Sequence, residues 1–135
     1  TAPATGETWF TSAGRALKRV NGGASQPVRA RPWPTGKAIA LVSHTMREET
    51  ALQLSNQYGF DLREPMDSSI KFCRIAEGAA DIYPRHGPTM EWDIAAGQAV
   101  LEAAGGSVLT PDGEAFAYGK ADQGFRNGWF VARGR

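Results

Sequence analysis

The sequence predicts an α/β fold in which helices pack on a mixed β-sheet. Short apolar runs of strand length, of which Ala38-Ile-Ala-Leu-Val42 is the clearest, alternate with longer segments whose apolar residues recur at helical spacing, as in residues 47–58. Glycines and prolines separate these segments. The resulting order is strand, helix, helix, strand, helix, strand, strand, which is typical of a layered α/β or α+β domain.

The first 35 residues are expected to hold strand segments, a turn and a loop. Residues 7–12 have strand-favouring side chains, Gly22-Gly23 marks a turn, and residues 28–30 are expected to form a short strand. The next segment, Arg31-Pro-Trp-Pro-Thr-Gly36, holds two prolines and a glycine and is expected to be a loop. We expect it to separate two units, residues 1–35 and residues 36–135.

A helix is expected to follow the apolar run that ends at Val42. Its stripe of apolar side chains includes Ala51 and Leu54. Thr45 is expected to cap its N-terminus, with Glu48 three residues later completing a capping box. Gly59 is expected to end it in the left-handed conformation.

The rest of the chain alternates the same two kinds of element. A second helix is expected over residues 70–76, with Asp67-Ser-Ser69 capping it and Gly78 ending it. The remaining expected elements are a strand at 81–83, a loop at 84–88, a third helix from about Trp92-Asp93 to Ala104, a strand at 107–109, a turn at 111–113 and a last strand at 129–132.

Composition narrows the functional class. The formal net charge is only +1, so we expect no nucleic-acid partner. No apolar run approaches the roughly 18 residues of a transmembrane helix. The single cysteine, Cys73, excludes an intrachain disulfide and a four-cysteine zinc site. We therefore expect a cytoplasmic protein, at most peripheral to the inner face of the membrane.

An acid and three small residues open the third helix, in the run Trp92-Asp-Ile-Ala-Ala-Gly97. Asp93 is expected to project from the helix N-terminus, where a carboxylate oxygen can bind a hard cation such as Mg²⁺. The small side chains would let a metal, a phosphate or another backbone come close. The simpler interpretation is that Asp93 is only a helix cap, and the two roles are compatible.

Four other residues carry groups that bind phosphate. Ser69 and Lys71 lie at the start of the second helix, where hydroxyls, an ammonium and free backbone N–H groups can hold an anion. Arg85 follows a proline and can hold a phosphate through two hydrogen bonds. Ser43 ends the apolar strand, at the edge where α/β sheets bind ligands. Taken singly, each is equally a cap or a solvated surface residue.

Together, these segments resemble the C-terminal half of the CysQ-type 3′(2′),5′-bisphosphate nucleotidases, in the inositol monophosphatase superfamily. The run from Trp92 to Gly97 is similar to the second signature of that superfamily. The segments that follow the order of the CysQ branch are Asp67-Ser-Ser-Ile-Lys-Phe-Cys73, Ile75-Ala-Glu-Gly78, Ile82-Tyr-Pro-Arg85 and Gly87-Pro-Thr89. The resemblance covers nearly the whole chain and is weakest over residues 15–35.

The resemblance implies the C-terminal part of a layered αβαβα sandwich. Residues 1–35 would be a remnant of the N-terminal metal-binding subdomain, and residues 36–135 the substrate-binding subdomain. The implied activity is a Mg²⁺-dependent phosphomonoesterase that removes the 3′-phosphate of 3′-phosphoadenosine 5′-phosphate, a nucleotide by-product of sulfate assimilation. The implied metal ligand is Asp93, and the residues implied in substrate binding are Ser43, Ser69, Lys71 and Arg85.

The sequence also departs from the family pattern. Met46 stands where the family has a histidine that bears on adenosine recognition. Asp67 stands where many relatives have glycine, and a carboxylate there would oppose a phosphate unless it turns away. The upstream glutamate pair and the Asp-Pro-x-Asp-Gly-Thr element, which supply the family's other metal ligands, do not occur in these 135 residues. We therefore expect an inactive fragment whose partner is the N-terminal half of the same protein.

Two alternatives stay open at the level of sequence. The first is an inositol monophosphatase, against which the Ser-Ser-x-Lys and Tyr-Pro-Arg elements favour the nucleotidase. The second is a non-catalytic phosphate-binding module, which the missing acidic ligands favour. A chain that begins within a strand leaves an unpaired sheet edge, so a homodimer formed through that edge is a further expectation.

Overall fold

A five-stranded sheet, a three-stranded sheet and three helices make up the fold. The computed structural model describes residues 1–135. The strands are β1 Glu7–Ser12, β2 Arg15–Val20, β3 Gln26–Pro27, β4 Ile39–Val42, β5 Leu62–Pro65, β6 Ile82–Arg85, β7 Thr89–Met90, β8 Ser107–Leu109, β9 Arg126–Asn127 and β10 Phe130–Arg133. The helices are α1 Glu48–Tyr58, α2 Ile70–Ala76 and α3 Glu91–Ala103. None of them is both long and apolar enough to cross a membrane.

The larger sheet is mixed, which confirms the predicted fold class. Its strand order is β5-β4-β6-β10-β8. β4 runs parallel to β5 and β6, whereas β10 is antiparallel to β6 and β8. β4 is the apolar run predicted as a buried strand, and Ala40, Leu41 and Val42 are buried. The carboxyl ends of β4 and β6 lie at the same edge of this sheet, where α/β proteins commonly bind ligands.

The smaller sheet is an antiparallel hairpin of β1 and β2, extended by β3. The Ala13-Gly14 turn has φ values of 49° and 71°, which suit a two-residue hairpin. β2 was not predicted, because half of its residues are charged and it has no apolar run. The strand predicted at residues 28–30 is wrong, because the Ala30 N–H leaves the sheet and donates to the carbonyl of Ala104, at 3.0 Å.

The helices divide the molecule into layers. α2 and α3 lie between the two sheets, where their side chains share one core with both. That core includes Trp9 and Ala16 of the small sheet, Phe72, Ile75, Ile94 and Leu101 of the helices, and Leu41, Tyr83 and Phe130 of the large sheet. α1 covers the opposite face of the large sheet, where Leu54 packs against Val42, Ile82 and Val131. The order is sheet, helices, sheet, helix.

An ion pair between the half-exposed Arg31 and the buried Asp81 fixes the loop before β4. Both Nε and Nη2 of Arg31 donate to the Asp81 carboxylate, at 2.6 and 2.7 Å, and the Ile39 N–H donates to the same carboxylate at 2.7 Å. Asp81 is buried, so this pair joins the loop to β4 and to the start of β6. The proposed division of the chain at residue 35 stays a prediction.

Two further local predictions, at the start of α1 and after β6, are wrong. The N-cap of α1 is Arg47, not Thr45, because the Thr45 hydroxyl bonds the Ser43 hydroxyl at 3.0 Å and Glu48 pairs with Arg63 at 2.8 Å. The predicted C-terminus of α1 is confirmed, since Gly59 ends this helix with a φ of 74°.

The second error concerns the loop predicted at 84–88. β6 continues to Arg85 because Pro84 and Arg85 pair with Val131 and Phe130 of β10, whereas β6 pairs with β4 only at Ile82. Pro84, which lacks an N–H, therefore lies where the ladder needs only the β10 side.

Candidate functional site

A cavity of about 260 Å³ opens at the carboxyl ends of β4 and β6. All five residues predicted to form a site lie on its wall, although they come from four different segments. The wall is formed by Ser43, Asp67, Ser68, Ser69, Lys71, Phe72, Tyr83, Arg85, Pro88, Thr89, Asp93 and Ile94. Segments that lie far apart in the sequence thus form a single concave surface.

Ser43 and Ser69 supply hydroxyl groups to this cavity. Ser43 immediately follows β4, and it also lines a neighbouring cavity of about 240 Å³ with His44 and Met46. Ser69 is the N-cap of α2, but its side chain makes no capping bond. The predicted capping by the hydroxyl of Ser69 is therefore wrong, and this exposed hydroxyl is free to meet a ligand.

Lys71 is the most unusual residue of the wall, because it is only 3% exposed and forms no ion pair with any acid of the chain. Its ammonium lies 4.3 Å from the ring centroid of Tyr83. Burial, and then the charge of Arg85, lower the pKa of Lys71 to about 8, against the opposing effect of Asp67. A buried ammonium without an acidic partner is well suited to bind an oxyanion.

Arg85 provides a second cation without an acidic partner. It is the last residue of β6, and its Nη2 donates only to the carbonyl oxygen of Pro88, at 3.4 Å. Its Nε is buried and has no hydrogen-bond partner. A buried donor left unpaired is costly in a folded protein, so a ligand oxygen that satisfies it would be bound favourably.

Asp93 caps α3 without being its N-cap. Met90 holds the N-cap position, and the Asp93 carboxylate, at N3, accepts the Met90 N–H at 2.7 Å through Oδ2. The predicted capping role is therefore present in a modified form. Oδ1 makes no hydrogen bond, so this exposed carboxylate retains an oxygen that can bind a cation.

The chain does not contain a complete magnesium site. No group of three or more His, Cys, Asp or Glu side chains in residues 1–135 is arranged to hold a metal ion. Mg²⁺ prefers several oxygen ligands, of which Asp93 can supply one. Asp93 can therefore serve as one ligand of the implied Mg²⁺, but these residues do not complete its coordination.

Asp67 is the other acid on the wall, and it is paired at the surface. His44 Nδ1 lies 3.1 Å from its Oδ2, and the hydrogen bond with His44 lowers the pKa of Asp67. This carboxylate thus has a partner other than Lys71.

Of the close approaches expected at the small residues after Asp93, the structure shows that of a neighbouring helix, at Gly97. Ala95 and Ala96 are exposed, whereas Gly97 is buried against α2. A Cβ on Gly97 would lie 2.5 Å from Cδ2 of Phe72. The absence of a side chain at Gly97 therefore lets the two helices approach each other, rather than making room for a phosphate.

Sequence reasoning missed several residues of the wall. Thr89 lies within the Gly87-Pro-Thr89 segment that carries the family resemblance, and its Oγ1 accepts a hydrogen bond from Asn127 at 3.2 Å. Tyr83 lies under the Lys71 ammonium. Their part in the wall depends on contacts between distant segments, for which the sequence has no local signal.

Comparison with known proteins agrees with this arrangement. Residues 1–130 match the inositol monophosphatase family. The chain is 35% identical over 119 residues to the 3′(2′),5′-bisphosphate nucleotidase CysQ of Salmonella typhimurium, which covers 87% of this chain and 46% of that protein. It is 58% identical over 71 residues to an uncharacterized protein in the pss 5′ region of Rhizobium leguminosarum bv. phaseoli, which covers 50% of this chain and 75% of that protein.

A solved structure gives the same result for the fold. The crystal structure of CysQ from Bacteroides thetaiotaomicron superposes with a TM-score of 0.79 at 31% identity, covering 98% of this chain and 55% of that one. The chain thus spans about half the length of these two CysQ proteins.

Proposed function

The chain belongs to the inositol monophosphatase family, and from that membership and the groups in the cavity we propose that it forms the substrate-binding part of a phosphomonoesterase of the CysQ kind. The observation that carries the proposal is the pair of cations, Lys71 and Arg85, that share one cavity without an acidic partner. Both lie at the sheet edge where ligands are expected.

The side chains of the cavity have distinct roles in this proposal. The Lys71 ammonium and the Arg85 guanidinium bind oxygens of the substrate phosphate. The hydroxyls of Ser43 and Ser69 donate further hydrogen bonds to the substrate. Two partially desolvated cations bind a dianion far better than a neutral group, so the cavity favours a phosphorylated ligand over its dephosphorylated product.

The proposed substrate is a small phosphorylated nucleotide, 3′-phosphoadenosine 5′-phosphate, from which the 3′-phosphate is removed. The names of the CysQ relatives and the Ser-Ser-x-Lys and Tyr-Pro-Arg elements support this choice over an inositol phosphate. Removal of this by-product would connect the protein with sulfate assimilation in the cytoplasm.

The proposed cofactor is Mg²⁺, held in part by Asp93. When bound, such an ion activates a water and neutralises phosphoryl oxygens. Asp93 supplies one ligand, so we propose that the others come from a segment outside these 135 residues, in keeping with the greater length of the CysQ relatives. The isolated chain would then bind substrate without turning it over.

A phosphate-release assay tests the proposal. The 135-residue chain and the product of the complete reading frame are each given Mg²⁺ with 3′-phosphoadenosine 5′-phosphate or inositol 1-phosphate. We expect release only by the complete product and a preference for the nucleotide. Release by the pure 135-residue chain would overturn its inactivity, a preference for inositol 1-phosphate would overturn the substrate, and binding without release by the complete product would favour a non-catalytic module.

A further inference from the structure

Two buried side-chain atoms of the chain have no hydrogen-bond partner, and both belong to residues at the cavity. One is Nε of Arg85 on the cavity wall, and the other is Oδ1 of Asn127, a residue that is only 5% exposed. Asn127 adjoins the wall, because its Nδ2 donates to the hydroxyl oxygen of Thr89 at 3.2 Å. Unpaired buried polar groups are rare in folded proteins, so two of them at one cavity call for a functional explanation.

The backbone fixes Thr89 at the edge of the cavity. Thr89 and Asn127 are direct partners in the antiparallel pair of β7 and β9, and Met90 pairs with Arg126 beside them. The Met90 N–H is held in turn by the Asp93 carboxylate, at 2.7 Å. The chain at Thr89 is therefore anchored both by β9 and by the residue proposed to bind the metal.

The hydrogen bond from Asn127 decides what the Thr89 hydroxyl offers to a ligand. A hydroxyl has one proton and two lone pairs, and the Asn127 amide uses one lone pair of Thr89 Oγ1. The proton of Thr89 meets no acceptor in the protein, since neither acid of the wall, Asp67 or Asp93, is bonded to it. The hydroxyl is therefore a free donor for an occupant of the cavity that Thr89 lines.

We propose that the Thr89 hydroxyl donates a hydrogen bond to a phosphate oxygen of the ligand, and that Asn127 is the positioning residue that holds it in this orientation. This inference rests on the proposed function, and it adds a neutral donor to the cations Lys71 and Arg85 on the same wall. Phosphate oxygens accept several hydrogen bonds, so a hydroxyl of fixed orientation adds both affinity and direction. Asn127 does not line the cavity and acts only through Thr89.

Isothermal titration calorimetry on the 135-residue chain tests the hydroxyl. The ligands are 3′-phosphoadenosine 5′-phosphate and adenosine, which has the base and the ribose but no phosphate. Thr89→Val replaces the hydroxyl with a methyl group of similar size, and Thr89→Ser keeps a hydroxyl. Thr110→Val is the matched control, because the Thr110 hydroxyl also accepts one N–H, from Glu114 at 3.1 Å, but lies outside this cavity. Loss of a hydrogen bond to a charged group predicts that Thr89→Val binds the nucleotide about 10- to 100-fold more weakly.

A double-mutant cycle tests the role of Asn127. The carboxylate of Asn127→Asp accepts hydrogen bonds but does not donate them, so it takes the proton of Thr89 and leaves only a lone pair for the ligand. Asn127→Asp should therefore weaken nucleotide binding as Thr89→Val does, and add little to it in the double variant. Urea unfolding checks that each variant is folded. If the buried carboxylate prevents folding, Asn127→Leu removes the donor without a charge and should show the same dependence on Thr89.

The outcomes separate the hydroxyl from the proposed function. Weaker nucleotide binding by Thr89→Val, recovery in Thr89→Ser and unchanged binding by Thr110→Val would support the contact. A wild type that prefers the nucleotide to adenosine, with Thr89→Val unchanged, would overturn the contact alone. An effect at Asn127 that persists in full without the Thr89 hydroxyl would overturn its positioning role. A wild type that binds adenosine as tightly as the nucleotide would overturn the proposed phosphate site as well.

Discussion

Replacing Lys71 with methionine should stabilise the free protein while removing its affinity for phosphate. Methionine keeps most of the unbranched stem of the side chain and deletes only the charge. A lysine kept for structure would give the opposite result, because its loss would then destabilise the fold. The substitution therefore separates a binding function of the ammonium from a structural one.

The magnitude follows from the pKa. A fall from 10.5 to about 8 in the folded state corresponds to a cost of roughly 3 kcal/mol for holding the charged form, since one pKa unit is about 1.4 kcal/mol. The cation–π contact with Tyr83 offsets about 1 kcal/mol of this cost. Lys71→Met should therefore raise the free energy of unfolding by about 2 kcal/mol at pH 7.

The pH dependence has a definite sign. Because the folded pKa of Lys71 lies below its unfolded value, the unfolded chain binds more protons between pH 8 and 10.5, and wild-type stability rises with pH in that window. Below about pH 8 Lys71 is charged in both states, so the full cost of burying its charge applies. The stability difference between Lys71→Met and the wild type should therefore be largest at pH 7 and shrink toward pH 10.

Urea unfolding with and without inorganic phosphate measures both effects. Phosphate should stabilise the wild type and the control variant Lys37→Met, whose lysine is exposed, but not Lys71→Met. The reasoning is refuted if Lys71→Met is less stable than the wild type at pH 7, or if phosphate stabilises it as much as it stabilises the wild type.

Substitutions at three other residues, all in α3, give further tests. In the product of the complete reading frame, Asp93→Asn should lose Mg²⁺-dependent phosphate release but keep its stability, because the amide oxygen of Asn can still accept the Met90 N–H. Asp93→Ala should lose phosphate release and also about 1 kcal/mol of stability in thermal unfolding. Full turnover by Asp93→Asn would contradict the metal role. The backbone N–H groups of Lys120 and Gly119 hold the pKa of Glu91 at about 2, so its stabilisation is complete above pH 4.5 and lost as the pH falls toward 2. The melting-temperature gap between the wild type and Glu91→Gln should close over that range, and a constant gap would argue against it. Gly97→Ala should cost about 1–3 kcal/mol in urea unfolding, because its Cβ meets Phe72, and a neutral effect would show that α2 and α3 separate freely.

Much of the fold was predictable, because local signals and tertiary packing agree. The run Ala38–Val42 is apolar over the length of a strand, and it contains β4, an interior strand of the larger sheet. Gly59 ends α1 with a positive φ, as expected of a helix C-terminus. The predicted site residues meet because they lie at the ends of elements that reach one edge of the sheet.

The errors arise where a contact from a distant segment decides the local structure. Thr45 looks like an N-cap in the sequence, but its hydroxyl bonds Ser43 instead. Lys71 looks like a solvated lysine, and its burial depends on Tyr83, which lies twelve positions away on another element. The hydrogen bond from Asn127 to Thr89 likewise joins segments whose proximity only the sheet topology determines.

The most direct test of the central claim is an NMR titration of the ¹⁵N-labelled chain with 3′-phosphoadenosine 5′-phosphate. If the cavity holds the substrate phosphate, the amide signals of Ser69, Lys71, Arg85 and Gly87 shift together with one affinity, and Lys71→Met abolishes those shifts. Shifts confined to other surfaces, or equal shifts in the wild type and Lys71→Met, would contradict a phosphate site at the carboxyl edge of this sheet.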